Sequence, residues 1–307
     1  MLGLTSMRRV SVLVALALAG CSFHLQPNPK TVAVESTFPR NAPATDLPAQ
    51  FKVATFNVHK EPGDKIAKAI LADRELRDVD LIVLQEVPRS DATCSGACAM
   101  GKQLGMHALF APGHVEGKRD MGIAILSKAP ITSAEIVELP WNDVHFNAGR
   151  RIALAATINH AGRPITVYAV HLENRLKASD RKKQMVPVLE HAARQHTPVI
   201  IAGDFNTNPF TWVSHWLPLP TGRHQARRLE ALMRSHGFDT PCADSGATHR
   251  YIGMKLDGIY TRGFTTKRFA TAHAQDVSDH LALWATVAPK AAPQQPRNAT
   301  QSVAATH

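Results

Sequence analysis

Val199-Ile200-Ile201-Ala202-Gly203-Asp204-Phe205-Asn206, preceded by Thr197-Pro198, is the stretch from which the fold can be read. An apolar run bounded by Pro and Gly predicts a buried strand. Asp204 and Asn206 follow at i and i+2. In extended backbone alternate side chains share a face, so both are expected to project together where the strand meets its loop. A carboxylate beside a carboxamide supplies one charged acceptor and one group that both donates and accepts. That set suits holding a water together with an anionic substrate. It equally suits an Asx turn that closes a strand. The decision rests on whether other stretches converge on this one.

Size and composition set the bounds. At 307 residues and 44% hydrophobic content the chain can bury a large core, as one large domain or two small ones. The formal charge of +10 fits an anionic partner or surface. Arg8, Arg9, Lys290 and Arg297 lie outside the expected domain, so that domain is less basic than the total suggests.

Residues 1–20 read as a targeting segment. Arg8-Arg9 precede an apolar run, Val10 to Ala19, that is short for a bilayer span. The run ends in Leu18-Ala19-Gly20-Cys21, which resembles a bacterial lipoprotein signal; an ordinary secretory signal with a chance Cys is the alternative. Lipidated Cys21 would anchor the chain without a transmembrane helix. Ser22 in place of Asp implies, by the rule of that signal class, the outer membrane. Residues 21–48 carry Pro27, Pro29, Pro39, Pro43 and Pro48 and read as a tether. Residues 49–288 are the expected folded domain, and residues 289–307, rich in Ala, Pro, Gln and Thr, read as a disordered tail. Cys94, Cys98 and Cys242 could form one disulfide with one thiol over, and the spacing does not choose the pair.

Within the domain, strands are expected at Phe51–Val58, Leu81–Leu84, Met121–Leu126, Leu256–Tyr260 and Leu281–Val287. Ile152–Ile158 and Ile165–Val170 bracket Asn159-His160-Ala161-Gly162, a hairpin signal. Helices are expected over Lys65–Leu76, over Asp180–Gln195 with a cap at Ser179 or Asp180 and strain at Pro187, and over Arg223–His236. Each core strand delivers a polar residue at its end. These are Asn57, Gln85-Glu86, His171, Asp204 with Asn206, Asp257, and Ser278-Asp279-His280 before the last strand. Ligands in such sheets gather at one edge, so six polar strand ends point to one site.

Thr55-Phe56-Asn57, Leu84-Gln85-Glu86, Val170-His171-Leu172, Gly203-Asp204-Phe205-Asn206, Leu256-Asp257-Gly258-Ile259 and Ser278-Asp279-His280, in this order, resemble the endonuclease/exonuclease/phosphatase superfamily. The likeness spans about Phe51 to Val287. It is nearest to the pancreatic-type deoxyribonuclease and sphingomyelinase branches. The resemblance implies a four-layer α/β sandwich, with two mixed, mainly antiparallel sheets face to face and helices outside. It implies metal ligation by Asn57 and Glu86, joined or backed by Asp279. It implies that Asp204 and Asn206 hold the attacking water and steady the phosphate. His280, oriented by Asp257, would activate water or contact phosphate. His171 would contact phosphate or protonate the leaving group, and Arg151, or Arg150 in its place, would contact phosphate. An all-oxygen ligand set suits Mg²⁺ or Mn²⁺ rather than zinc.

Some side chains lie beside this set. Gln85 is expected to support a neighbour rather than ligate, Glu173 to be a solvated loop residue with orientation of His171 as the alternative, and Trp141 and Trp212 to pack in the core. Arg175–Lys183 and Arg223–Arg234 are expected as solvated basic helix faces. The expected function is that of a lipid-anchored, metal-dependent phosphodiesterase of endonuclease type. A phospholipid phosphoesterase, acting on sphingomyelin or phosphoinositide, is the alternative. A surface binding lipoprotein that had lost catalysis would have no need of Asn57, Glu86, Asp204, Asn206 and His280 together. The substrate is expected to be a nucleic acid or phospholipid phosphodiester, and no obligate protein partner is indicated.

Overall fold

Runs of Val, Ile, Leu and Ala form the strands here, and their alternation decides which sheet face meets which layer. The computed structural model describes residues 35–37, 46–142, 144, 149–213, 217–222 and 224–290. Along the chain come β1 (Glu35–Thr37), β2 (Phe51–Asn57), α1 (Gly63–Ala72), β3 (Leu81–Arg89), α2 (Gly96–Leu104), β4 (His107–Glu116) and β5 (Arg119–Ser127). They are followed by β6 (Ile131–Glu138), β7 (Ile152–His160), β8 (Arg163–His171), α3 (Ala178–Ala193) and β9 (Val199–Asp204). The rest are β10 (Thr211–Val213), β11 (Leu217–Leu219), α4 (Gln225–Ser235), β12 (Asp257–Arg262), β13 (Phe264–Ala272) and β14 (Ala282–Pro289).

One sheet has seven strands in the order β1-β4-β5-β3-β2-β14-β13, and the other has five in the order β12-β9-β8-β7-β6. Each sheet is mostly antiparallel, with one parallel pair: β2 with β3, and β8 with β9. Phe51, Val53, Val83 and Leu283 of the first sheet face Leu154, Val167, Ile200 and Ile259 of the second across the central core. Outside the first sheet, Ile66 and Ile70 of α1 and Met100 of α2 cover Phe56, Leu84 and Trp284. Outside the second, Met185 and Leu189 of α3 and Met233 of α4 cover Tyr168, Ile201 and Tyr260. Each such side chain contributes roughly 1.5–3 kcal/mol on leaving water. The result is the expected four-layer α/β/β/α sandwich.

Several boundaries differ from the sequence reading. β7 and β8 run two residues further toward each other than expected, and Ala161 (φ 46°) with Gly162 (φ 72°) forms the two-residue turn. α3 starts at Ala178 after Lys177, with no side-chain cap, so neither Ser179 nor Asp180 caps it; the helix continues through Pro187. The stretch read as a tether is folded at two points. Residues 35–37 pair with β4 at the sheet edge, and Leu47 is buried in the central core. Cys94 and Cys98 are joined in a disulfide and Cys242 is a buried free thiol. The targeting segment, Cys21 and the tail beyond Lys290 lie outside the described residues.

Candidate active site

Register brings the polar strand ends into one place. On the five-stranded sheet, His171 of β8 and Asp257 of β12 both lie directly opposite Asp204 of β9. On the seven-stranded sheet, Asn57 of β2 lies opposite Gln85 of β3. The two edges meet through Asn57, whose Nδ2 donates to Glu86 Oε1 at 3.2 Å and to Asp204 Oδ2 at 3.1 Å. Ser278, just before β14, ties in from behind: its hydroxyl donates to the Asn57 carbonyl at 2.7 Å and accepts from the His280 amide at 3.1 Å.

Local backbone explains how these side chains are aimed. β3 has a bulge between Leu84 and Val87, and within it Glu86 has φ 53°. A bulge re-aims one side chain, and a left-handed backbone at a residue other than Gly is held against an energetic preference of about 1–3 kcal/mol. At Gly203 a Cβ would stand 1.9 Å from the Val170 carbonyl oxygen, so only Gly lets β9 run this close to β8. The expectation that Asp204 and Asn206 share a face of extended backbone fails. Asn206 has φ 51°; its amide donates to Asp204 Oδ1 at 2.8 Å and its Nδ2 to the Leu172 carbonyl at 2.8 Å. The stretch is therefore an Asx turn and part of the site at once.

Two imidazoles flank Asp204, with His171 Nε2 at 3.7 Å and His280 Nε2 at 3.8 Å from Oδ2. They carry different charges. Burial, then the Arg151 guanidinium, hold the His171 pKa well below its ordinary value, so this ring is neutral. Arg151 Nη1 lies 3.5 Å from His171 Nδ1; a guanidinium can only donate, so Nδ1 accepts and the proton sits on Nε2, facing Asp204. Burial also opposes charge on His280, but Asp257, Asp204 and Asp279 outweigh it and raise its pKa to about 10. Its Nδ1 bonds Asp257 Oδ2 at 2.8 Å. Burial and the neighbouring Asp257 raise the Asp204 carboxyl above its usual range, while His280, the Asn206 amide and Asn57 pull it back.

Arg151 is buried and ion-paired to Glu173, with Nη2 to Oε2 at 2.9 Å. Glu173 is thus not the solvated loop residue expected: it is 2% exposed and anchors the arginine that touches His171. Arg150 pairs instead with Glu138 on the surface. Gln85 supports its neighbour, exchanging hydrogen bonds with Thr55. Asp279 is clasped between His59 Nδ1 at 3.0 Å and His249 Nε2 at 3.6 Å, and the His249 and His280 rings are 5.3 Å apart. Sequence reasoning missed His249, which has no motif around it; its position follows from a β-bridge to His280. Trp141 is 61% exposed rather than in the core. Trp212 stands on β10 with the Arg175 guanidinium over its ring at 5.6 Å.

The donor set fits a hard divalent cation. Glu86 brings a carboxylate and Asn57 an amide oxygen; the Asp257 Oδ1, on the strand opposite Asp204, is buried without a hydrogen-bond partner among the described residues. Asp204, Asp257 and His280 bring ligand atoms within 4.8 Å of one another, as do His249, Asp279 and His280.

A family model described as the Endonuclease/Exonuclease/phosphatase family matches residues 54–280. The chain belongs to that family. Its members are divalent-metal-dependent phosphoesterase hydrolases, and this chain is a hydrolase of that class. Among solved structures it is similar to an endonuclease/exonuclease/phosphatase from Beutenbergia cavernae DSM 12333, at 20% identity and a TM-score of 0.65, over 80% of this chain and 73% of that one. It is also similar to D. rerio TDP2 complexed with single strand DNA product, at 17% identity and a TM-score of 0.57, over 78% of this chain and 98% of that one. A third likeness is to ANGEL2, a 2′,3′-cyclic phosphatase, in complex with adenosine-2′,3′-vanadate, at 15% identity and a TM-score of 0.55, over 85% of this chain and 100% of that one. At such identities these likenesses speak for the fold alone. No curated protein matches the chain in sequence.

Proposed function

We propose that the chain is an exported phosphodiesterase of endonuclease type, lipid-anchored through Cys21. The observation that carries the hydrolytic reading is the Asn57 bridge, which joins the Glu86 edge to the Asp204 edge in one polar cluster. Asn57 and Glu86 would hold Mg²⁺ or Mn²⁺, with Asp279 nearby, and the ion would act as a Lewis acid on a phosphoryl oxygen. Asp204, with its raised pKa, accepts a proton from water near neutral pH. Charged His280, oriented by Asp257, offers Nε2–H to developing negative charge on phosphate. Neutral His171 offers Nε2–H as a hydrogen bond to the oxygen that leaves, without giving up its proton, and Arg151 with Glu173 keeps its ring in place.

A nucleic acid is the first substrate reading, supported by the DNA product held by the related TDP2 structure. A lipid phosphodiester is the second. It is favoured by apolar side chains that the sequence reading did not foresee in solvent: Tyr251 and Ile252 just past His249, and Val213 and Leu217 on the β10–β11 hairpin. The Cys94–Cys98 disulfide agrees with export to an oxidising compartment. No helix among the described residues is long and apolar enough to cross a membrane.

The test is a panel of plasmid DNA, RNA, sphingomyelin and phosphoinositide vesicles, and a generic bis-aryl phosphodiester, with Mg²⁺ and after EDTA. Hydrolysis of at least one that EDTA stops and Mg²⁺ or Mn²⁺ restores is expected; indifference to EDTA overturns the metal-dependent reading. Cys21→Ser should move the chain from the membrane to the soluble fraction, and unchanged retention refutes the anchor.

A further inference from the structure

We infer that a cavity between α3 and α4 takes a single-chain amphiphile with an anionic head, of the fatty-acid class. The cavity holds about 500 Å³, within the range of about 300–1,000 Å³ usual for small-molecule sites. Its walls include Leu172, Phe205, Leu229 and Leu232, all buried in the outer core of the second sheet. Lys182 and Arg228 stand exposed among its lining residues, and no Asp or Glu lines it. Apolar walls with cations at the opening suit a hydrocarbon chain ending in a negative group.

Arg181 supplies the second, independent observation. It lines the cavity and is 3% exposed, yet its guanidinium bonds only to neutral groups. Nε donates to the Glu173 carbonyl at 3.1 Å, Nη2 to the Asn174 carbonyl at 2.6 Å, and Nη1 to the Gln225 side chain. The charges of Glu173 and Asp204 act on it without contact. Three of its five N–H donors are engaged, all by neutral acceptors. A buried cation without a contact ion is unfavourable, and an anionic head held at the opening by Lys182 and Arg228 would bring a counter-charge to the same cavity. The geometry favours an amphiphile over a bare anion, because the apolar walls would lie unused beneath a simple phosphate.

The cavity lies next to the catalytic edge. Leu172 directly follows His171 and Phe205 directly follows Asp204. Arg181 grips the carbonyl of Glu173, whose carboxylate holds Arg151. The proposal does not rest on the hydrolytic reading, because its readout is binding.

The probe is dodecanoate, kept below its micelle threshold and titrated calorimetrically into the full-length Cys21→Ser chain. Dodecyltrimethylammonium, with the same tail and opposite charge, and acetate, with a head and almost no tail, are the comparisons. Saturable binding of one dodecanoate per chain is expected, with neither comparison binding in the same range. Arg228→Glu, an exposed change, should weaken dodecanoate at least tenfold, and Ala231→Trp, which fills the cavity, should abolish it while the melting temperature holds. Absence of saturable dodecanoate binding, equal binding of the cationic amphiphile, or wild-type affinity in both variants overturns the proposal.

Discussion

Asn57 and Asp204 are 147 residues apart in the chain and 3.1 Å apart in space, and the hydrogen bond between them joins the two sheets at the active-site edge. The His280–Asp257 hydrogen bond, at 2.8 Å, is a second tie between the same two sheets.

Asp204→Asn should remove the proton acceptor with little change in side-chain size, at the cost of one of the two hydrogen bonds that Asp204 accepts, from Asn57 Nδ2 or from the Asn206 amide, because the new NH2 can only donate. General base catalysis contributes about 10²–10⁴-fold, so a fall in kcat of that size is expected with Mg²⁺ present. Unfolding should be little changed, since the substitution also removes a buried charge. Steady-state kinetics beside a thermal melt check both; full activity in the variant would remove Asp204 from the mechanism.

Glu173→Gln should leave the Arg151 guanidinium buried without its counter-ion. Breaking a buried pair from one side typically destabilises by about 3–5 kcal/mol. A drop of that order in urea unfolding is expected. An Arg151→Met, Glu173→Leu double variant should recover much of the stability yet stay slow, because the neighbour that holds His171 is gone. Equal stability of the single variant and the wild type would mean that the pair has no structural weight.

His280 gives stability a pH dependence in the metal-free protein. Its native pKa, about 10, lies above the unfolded value near 6.5. The imidazolium is thus bound more tightly in the native state, and its contribution is complete below about pH 6.5. It is lost as pH rises from there through about 10. Asp257→Asn removes one of the charges that raise the pKa, so stability should fall less steeply across this window. Denaturant titrations at several pH values test it, and parallel curves for the two proteins would contradict the assignment.

Burial pushes the Cys242 thiol up to about 12, and the other two cysteines are joined. A Cys21→Ser chain should therefore take up no iodoacetamide at pH 8 while folded and unreduced. Cys242 should label only once the chain is unfolded, as read by peptide mass. Rapid labelling of the native protein would place that thiol outside the core.

What the sequence revealed follows burial in part, since β4, His107–Glu116, is buried over most of its length and still went unread. Val199–Ala202 was legible because β9 is covered on both faces, and continuous apolar runs are the signature of that setting. β6, Ile131–Glu138, and β13, Phe264–Ala272, escaped because they are edge strands with much of their length exposed. Their residues alternate too weakly to stand out from loops. In the site, Asn57, Glu86, Asp204 and His280 were readable as strand ends with a family likeness. Glu173 and His249 were not, because each gains its place from a partner far along the chain, Arg151 and Asp279. Asn206 was placed in the site by a wrong local argument, since its left-handed backbone replaces the extended strand assumed for it.

The order of the strands has a consequence for synthesis. Asn57 ends the first long strand, whereas Asp279 and His280 come just before the last one, which pairs directly beside it. A growing chain therefore holds no complete constellation until β14 has been made and inserted between β2 and β13. Insertion of β14 is the step that brings the Asp279–His280 end of the chain beside Asn57, near the start of the domain.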